Sequence, residues 1–139
     1  MRVIICGSGK LGANLAGRLS LEGHEVVIID LDEEDFRRLP PDYSGFTVVG
    51  DATEAEVLEQ AGVREADVLV AATNYDNTNV MIAQLARQVY NVPRVVARVF
   101  EPSRETVYRQ LGIDTVCPTT LSLEFFEELI LSCSLESGG

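Results

Sequence analysis

The stretch CGSGKLGANLAGRL, Cys6–Leu19, decides the fold. It follows an unbroken apolar run, Val3-Ile4-Ile5-Cys6. It leads into a segment whose large apolar residues, Leu11, Leu15 and Leu19, recur at helical spacing beside small Ala13, Ala16 and Gly17. Strand, glycine turn and helix therefore follow one another without a gap. Gly7, Gly9 and Gly12 stand in the order G-x-G-x-x-G, and each has a mechanical task at such a junction. Gly7 permits the tight turn off the strand, Gly9 lets the backbone approach a pyrophosphate, and Gly12 lets the helix pack against the sheet. Ser8, Lys10 and Leu11 fill the places between the glycines and belong to the same candidate phosphate loop. The helix start offers unpaired N–H groups and a partial positive charge to an anion.

Further apolar runs recur along the chain: Val26-Val27-Ile28-Ile29, a weaker Phe46-Thr47-Val48-Val49, Val68-Leu69-Val70-Ala71, Val95 to Val99, and a short Thr115-Val116-Cys117. Most are continuous rather than alternating, as in parallel strands covered on both faces. Helical segments lie between them. Glu54 to Ala61 follows Thr53 as N-cap, with Glu56 placed as in a capping box. Asn79 to Tyr90 ends at Asn91-Val92-Pro93, and Ser103 opens a helix that stops before Gly112. The alternation predicts an α/β fold of Rossmann type, a doubly wound parallel six-stranded sheet of order 3-2-1-4-5-6 with helices on both faces. One domain is expected over 1–131, including a final helix about 119–131, with a flexible tail over 132–139.

Composition narrows the function classes. The chain has 139 residues, 46% of them hydrophobic, and a formal charge of −11 from 22 acidic and 11 basic residues. Such a surface argues against nucleic acid and anionic lipid as partners. No apolar run approaches the ~18 residues of a membrane span. Met1-Arg2-Val3 enters a strand at once, so no signal peptide is expected and the protein reads as cytoplasmic. Cys6, Cys117 and Cys133 form no C-x-x-C pair, which argues against a zinc or redox site. No metal site is expected. Cys6 and Cys117 read as small apolar residues at strand ends.

Asp30 closes the second run at about the ~20-residue spacing at which an acidic residue takes ribose hydroxyls in dinucleotide clefts. An N-cap role for Asp30 is the competing reading, and Asp32 suits that cap better. Leu31-Asp32-Glu33-Glu34-Asp35 supplies no arginine for a 2′-phosphate, so NADP is disfavoured. The acidic run itself reads as a solvated helix start, favoured by the helix dipole. Lys10, the only lysine, can reach a phosphate from the loop or stand solvated. It precedes Leu11 rather than Ser or Thr, so the loop is not a Walker A motif. The only histidine, His24, lies before the second strand, at the wrong sheet edge for a proton donor. A Tyr-x-x-x-Lys pair is impossible, since the lysine precedes every tyrosine. Binding without catalysis is the expectation. The alternative is the cofactor-binding fragment of an NAD-dependent dehydrogenase.

The segments GSGKLGANLA, VVIIDLDEE, VVGDATEAEVLEQAGVREADVLVAATNYDNTNVMIAQLA, VVARVFEP and LGIDTVCPT together resemble the TrkA N-terminal family, also called KTN or RCK domains. The resemblance covers roughly Met1 to Leu131, and Gly50-Asp51-Ala52-Thr53 is more specific than the glycine loop. It implies a regulatory domain of potassium transporters and channels that binds NAD(H) or ATP, ADP or AMP. Such domains pair into dimers, build rings, and sit on the cytoplasmic face of a membrane partner. By the same resemblance Gly7, Gly9, Gly12 and Lys10 meet the phosphates, and Asp30 with Leu31 holds the ribose. Asp51, Ala52 and Thr53 border the adenine. Ala72, Thr73, Asn74, Asn79 and Arg98 lie near the phosphates or the distal half of the ligand. Thr119 stands where many members carry an acidic residue.

Each of these residues also has a plainer reading. Asp51 can cap the helix from Glu54. Asn74 and Asp76 can cap the next helix, and Arg98 can pair with Glu101 or Asp114. The last helix carries Leu121, Leu123, Phe125, Phe126, Leu129, Ile130 and Leu131, a stripe too wide for one buried face. One side is expected to cover the domain's own sheet and the other to pack on a second copy, giving a homodimer. A missing C-terminal region is the other candidate for that second side.

Overall fold

Six strands form one all-parallel sheet of order β3-β2-β1-β4-β5-β6. They are β1 Arg2–Cys6, β2 Glu25–Asp30, β3 Phe46–Val49, β4 Val68–Ala71, β5 Arg94–Arg98 and β6 Asp114–Val116. The computed structural model describes residues 1–138, with side chains described through residue 132. Central β1 pairs with β2 on one side and β4 on the other, with Ile5 opposite both Ile28 and Val70. The predicted doubly wound order is the one observed.

The apolar runs are continuous because both sheet faces are covered. Along β1, Val3 and Ile5 join Ala16, Val26 and Ile28 beneath helix α1, Lys10–Leu21. Ile4 and Cys6 face the other way, into a larger core with Ile29, Leu58, Leu69, Ile82 and Ile113. That second face is covered by α2 Ala55–Gln60, α3 Asp76–Gln84 and α4 Glu105–Gln110. Only Val48 of β3 is buried, as befits the sheet's edge.

Several boundaries differ from the sequence reading. Thr53 does not cap α2: the N-cap is Glu54, no side chain caps it, and no capping box forms. The Thr53 hydroxyl instead donates to Asp51 Oδ1 at 2.6 Å. The helix expected over Asn79 to Tyr90 begins at Asp76 and finishes as a π turn, Leu85–Val89. Asn91, at φ 52°, then reverses the chain before Val92-Pro93. Ser103 lies inside a 3-10 turn, Pro102–Arg104, that precedes α4. The last strand ends at Val116, one residue short of Cys117.

The last helix departs most from expectation. Helix α5 spans Pro118–Gly138, so it covers the tail expected over 132–139 as far as Gly138; Gly139 lies outside the described residues. Its first turn is anchored by Thr120, whose hydroxyl donates to Glu105 Oε1 at 3.1 Å. Glu105 also accepts from Arg109 at 2.6 Å, so one largely buried carboxylate ties α4 to α5. Beyond that anchor Leu121, Leu123, Phe125, Phe126, Leu129, Ile130 and Leu131 are each more than half exposed. Neither side of α5 covers the domain's own sheet, which corrects the expectation for that side. The helix leaves the domain after that anchor, and on the face that α1 covers Val68, Val70 and Val96 stay only partly buried.

Candidate functional site

Strand order reverses at β1, and the loops after β1 and β4 leave on opposite faces of the sheet. A crevice opens there at the carboxyl ends of the strands, where α/β sheets hold ligands. It is a cavity of about 550 Å³. The glycine loop forms one wall. Gly7 takes φ +106°, and a Cβ on it would press on the Ala72 carbonyl oxygen at 2.7 Å. Gly12 abuts the Gly7 carbonyl so closely that no side chain fits between helix and loop. Gly9 has open space where a Cβ would be. Backbone at this point can therefore be approached closely from the cavity. Gly9 is also the N-cap of α1, whose first turn carries no acidic residue. The first N–H groups of the helix have no intrahelical acceptor and give the wall a positive end.

Asp30 stands at the end of β2, across from that loop. Its carboxylate accepts from the Ser8 N–H at 2.8 Å and from the Asp32 N–H at 2.9 Å. Asp32, as expected, caps the following 3-10 turn, Glu33–Arg38, by accepting from the Glu34 N–H. That turn brings Asp35 and Arg38 back to the cavity. Arg38 Nη1 donates to Asp35 Oδ1 at 2.8 Å. This bond holds the Asp35 carboxyl below the usual carboxylate range, against the opposing pull of burial. Further along the same rim, Asp51 Oδ1 accepts from both the N–H and the hydroxyl of Thr53, which lowers its pKa. Asp51 therefore closes a local turn before α2 and does not cap the helix.

The opposite end of the cleft is built on Asn79. This residue is wholly buried, and its side chain is fully spent. Oδ1 accepts from the N–H and hydroxyl of Thr73, and Nδ2 donates to the carbonyls of Thr73 and Arg98. Arg98 Nη2 reaches the carbonyls of Ala72 at 2.8 Å and Thr73 at 2.9 Å, with Asn74 Oδ1 at 3.4 Å. Its guanidinium lies 4.9 Å from the centre of the Phe100 ring. Burial draws its pKa below the ordinary arginine value, partly offset by Asp76, without discharging it. Arg98 pairs with neither Glu101 nor Asp114; Asp114 is taken by Arg94. Asp76 does not cap its own helix. It receives the N–H groups of Phe100 and Glu101 and binds the loop after β5 to α3.

Of the residues singled out from sequence, Gly7, Gly9, Lys10, Leu11, Asp30, Leu31, Asp51, Ala52, Ala72, Thr73, Asn74 and Arg98 line the cavity. Ser8, Gly12, Thr53 and Asn79 stand behind its walls, bonding or packing against the residues in front. Asp32, Asp35, Arg38, Gly50, Tyr75 and Thr78 complete the lining, over a floor of Cys6, Ile29 and Ile82. Burial pushes the Cys6 thiol up to about 12, so it stays protonated and inert. Arg38 was missed because the sequence reading of the ribose end stopped at Asp35. The Asp-x-x-Arg spacing, one helical turn, is the signal that brings the cation back. His24 lies at the far edge of the sheet, where its Nδ1 meets the Met1 amino group at 3.1 Å.

The cleft thus has an acidic end at Asp30, Asp32 and Asp35, and a cationic end at Lys10 and Arg98 beside the α1 N-terminus. Known proteins share the fold. A solved structure of the Kef C-terminal domain from Shewanella denitrificans, in AMP-bound form, superposes with a TM-score of 0.76 at 28% identity, over 94% of this chain and 81% of that one. A structure of GsuK bound to ADP superposes with a TM-score of 0.77 at 26% identity, over 92% of this chain and 33% of that one. The Trk system potassium uptake protein TrkA of Streptomyces coelicolor is 40% identical over 116 residues, 84% of this chain and 52% of that protein. The chain spans about half to three fifths of the length of such curated relatives. The TrkA-N domain model matches residues 3–119, taking in the glycine loop, both ends of the cleft and all six strands, and the chain belongs to the TrkA-N domain family.

Proposed function

We propose that this domain is a nucleotide-sensing regulatory module, not an enzyme, that binds NAD(H) or an adenine nucleotide in the cleft described above. The reading is carried by the cleft's polarity. A ligand with hydroxyls at one end and phosphates at the other fits carboxylates at Asp30 and cations at Lys10 and Arg98, with Gly9 leaving room for the phosphates. The residues present therefore suit an adenosine nucleotide. Asp30 and Asp51 hold backbone N–H groups, and burial keeps the Cys6 thiol protonated.

The membrane partner is inferred from the relatives. Their names place them in potassium uptake, and among the described residues no helix is long and apolar enough to cross a membrane. The domain then acts from the cytoplasm on a potassium transporter or channel subunit. Helix α5, with seven large apolar side chains exposed between Leu121 and Leu131, supplies the contact to a second copy, as a homodimer or part of a ring. Ligands of different size in one cleft shift the paired subunits between conformations by no more than their differential affinity for the two.

The test is a calorimetric titration of the ligand-stripped protein with NADH, NAD, ATP, ADP, AMP and NADPH, repeated on Asp30→Ala. Binding of at least one ligand with a free ribose 2′-hydroxyl, weakened about tenfold or more in the variant, is the expected result. No binding by any ligand defeats the sensor reading.

A further inference from the structure

The ribose end of the cleft is organised around one residue. Ser8 gives its N–H to Asp30 Oδ2 at 2.8 Å, and its carbonyl receives Arg38 Nη1 at 3.4 Å. Its hydroxyl donates to the Asp35 carbonyl at 3.0 Å, fastening the 3-10 turn to the glycine loop. The Asp30 carboxylate and the Arg38 guanidinium therefore bond the same residue and line the same cavity. In dinucleotide clefts, an acid in this place takes the ribose hydroxyls, whereas an arginine nearby accommodates a 2′-phosphate. This chain carries both.

What separates the two outcomes is Asp35. Arg38 Nη1 is held by Asp35 Oδ1 at 2.8 Å, closer than its 3.4 Å contact to Ser8. A phosphate entering beside Asp30 has to compete with Asp35 for the guanidinium and approach the carboxylates of Asp30 and Asp32 as well. The Asp35–Arg38 pair is itself partly exposed, at 37% and 48% of the two side chains, and pairs of that kind are individually weak. A single change is therefore enough to tip the balance.

We propose that Asp35 is a specificity-determining residue. By occupying Arg38 it closes the cleft to adenosine ligands phosphorylated on the 2′-hydroxyl, and its removal turns Arg38 into a receptor for that phosphate. The proposal rests on the nucleotide-binding reading above. It converts the bare expectation that NADP is disfavoured into a claim about two named side chains.

The experiment measures, by calorimetry, the affinity ratio within two ligand pairs that differ only in the 2′-phosphate: NADPH against NADH, and 2′-phosphorylated AMP against AMP. Proteins compared are the unmodified chain, Asp35→Asn, Asp35→Ala, and Asp35→Asn with Arg38→Ala. In the unmodified chain, the phosphorylated member is expected to bind at least tenfold more weakly. The ratio should rise at least tenfold in both Asp35 variants and fall back when Arg38 is also removed. Thermal melts check folding; the Ser8–Asp35 link uses the backbone carbonyl and survives these substitutions. A ratio indifferent to Asp35, or a gain that persists without Arg38, overturns the proposal while leaving the cleft reading standing. If no member of either pair binds the unmodified chain, both readings fall together.

Discussion

Two glycines three residues apart do opposite jobs. Gly12 is pressed against the Gly7 carbonyl, whereas Gly9 faces open space at an ordinary φ of −74°. A methyl group at residue 12 meets backbone that cannot step aside. Gly12→Ala should therefore destabilise the domain by about 3 kcal/mol, the upper part of the range for overpacking. Gly9→Ala should melt within a few degrees of the unmodified protein, yet lose nucleotide affinity about tenfold or more, because its methyl fills the space a phosphate needs. Thermal denaturation beside calorimetry separates the two effects, and a Gly9→Ala variant that binds normally contradicts the loop's assigned role. Asp51 offers a second residue-scale test. Its carboxyl lies below the ordinary value of 3.8 because the Thr53 hydroxyl, then the Thr53 N–H, bond to its charged form. A lowered folded-state pKa contributes stability that is present above the unfolded value and lost as pH falls through the folded one. The contribution of Asp51 therefore disappears only below about pH 4. Thr53→Val removes the hydroxyl bond, and NMR titration should show the Asp51 carboxyl moving back up.

At the scale of elements, strand runs were legible and helix ends were not. Val3 to Cys6 and Val26 to Ile29 need apolar residues on both faces, which leaves an unbroken signature. The ends of helices depend on single hydrogen bonds that compete closely. Thr53 had the composition of a cap, but its hydroxyl went to Asp51 instead. Nothing between Leu85 and Val89 marks a π turn. The ribose wall was half legible for a related reason: Asp30 announces itself by position, while Arg38 reaches the cleft only because Glu33–Arg38 winds as a tight 3-10 turn against Ser8. Helix α5 was legible as apolar and misread in its packing, since sequence cannot show that the helix leaves the domain after its Thr120–Glu105 anchor. Its exposed side chains make the dimer test clean. Phe125 and Phe126 are 62% and 63% exposed, so changing both to Glu leaves the domain's core intact. The double variant should sediment as a monomer with an unchanged melting profile. A folded double variant that remains dimeric removes α5 as the interface.

At the scale of the whole molecule, the two cores meet across one sheet, and the cleft sits where both end. Its two ends draw on distant parts of the chain: Asp30 closes β2 and Asp35 follows it, whereas Arg98 closes β5. Only the glycine loop, on the central strand, touches both. That central placement has a consequence for how the protein is made. The inner edge of β1 pairs with β2 early in the chain, but its other edge waits for β4, and Arg2 waits for Asp67. Synthesis from the N-terminus therefore leaves the best-buried strand of the finished domain with one open edge until β4, Val68–Ala71, has emerged. Parallel pairings at such separation close slowly. The nascent chain, more than the mature one, is the form in which this molecule is vulnerable to mispairing with its neighbours.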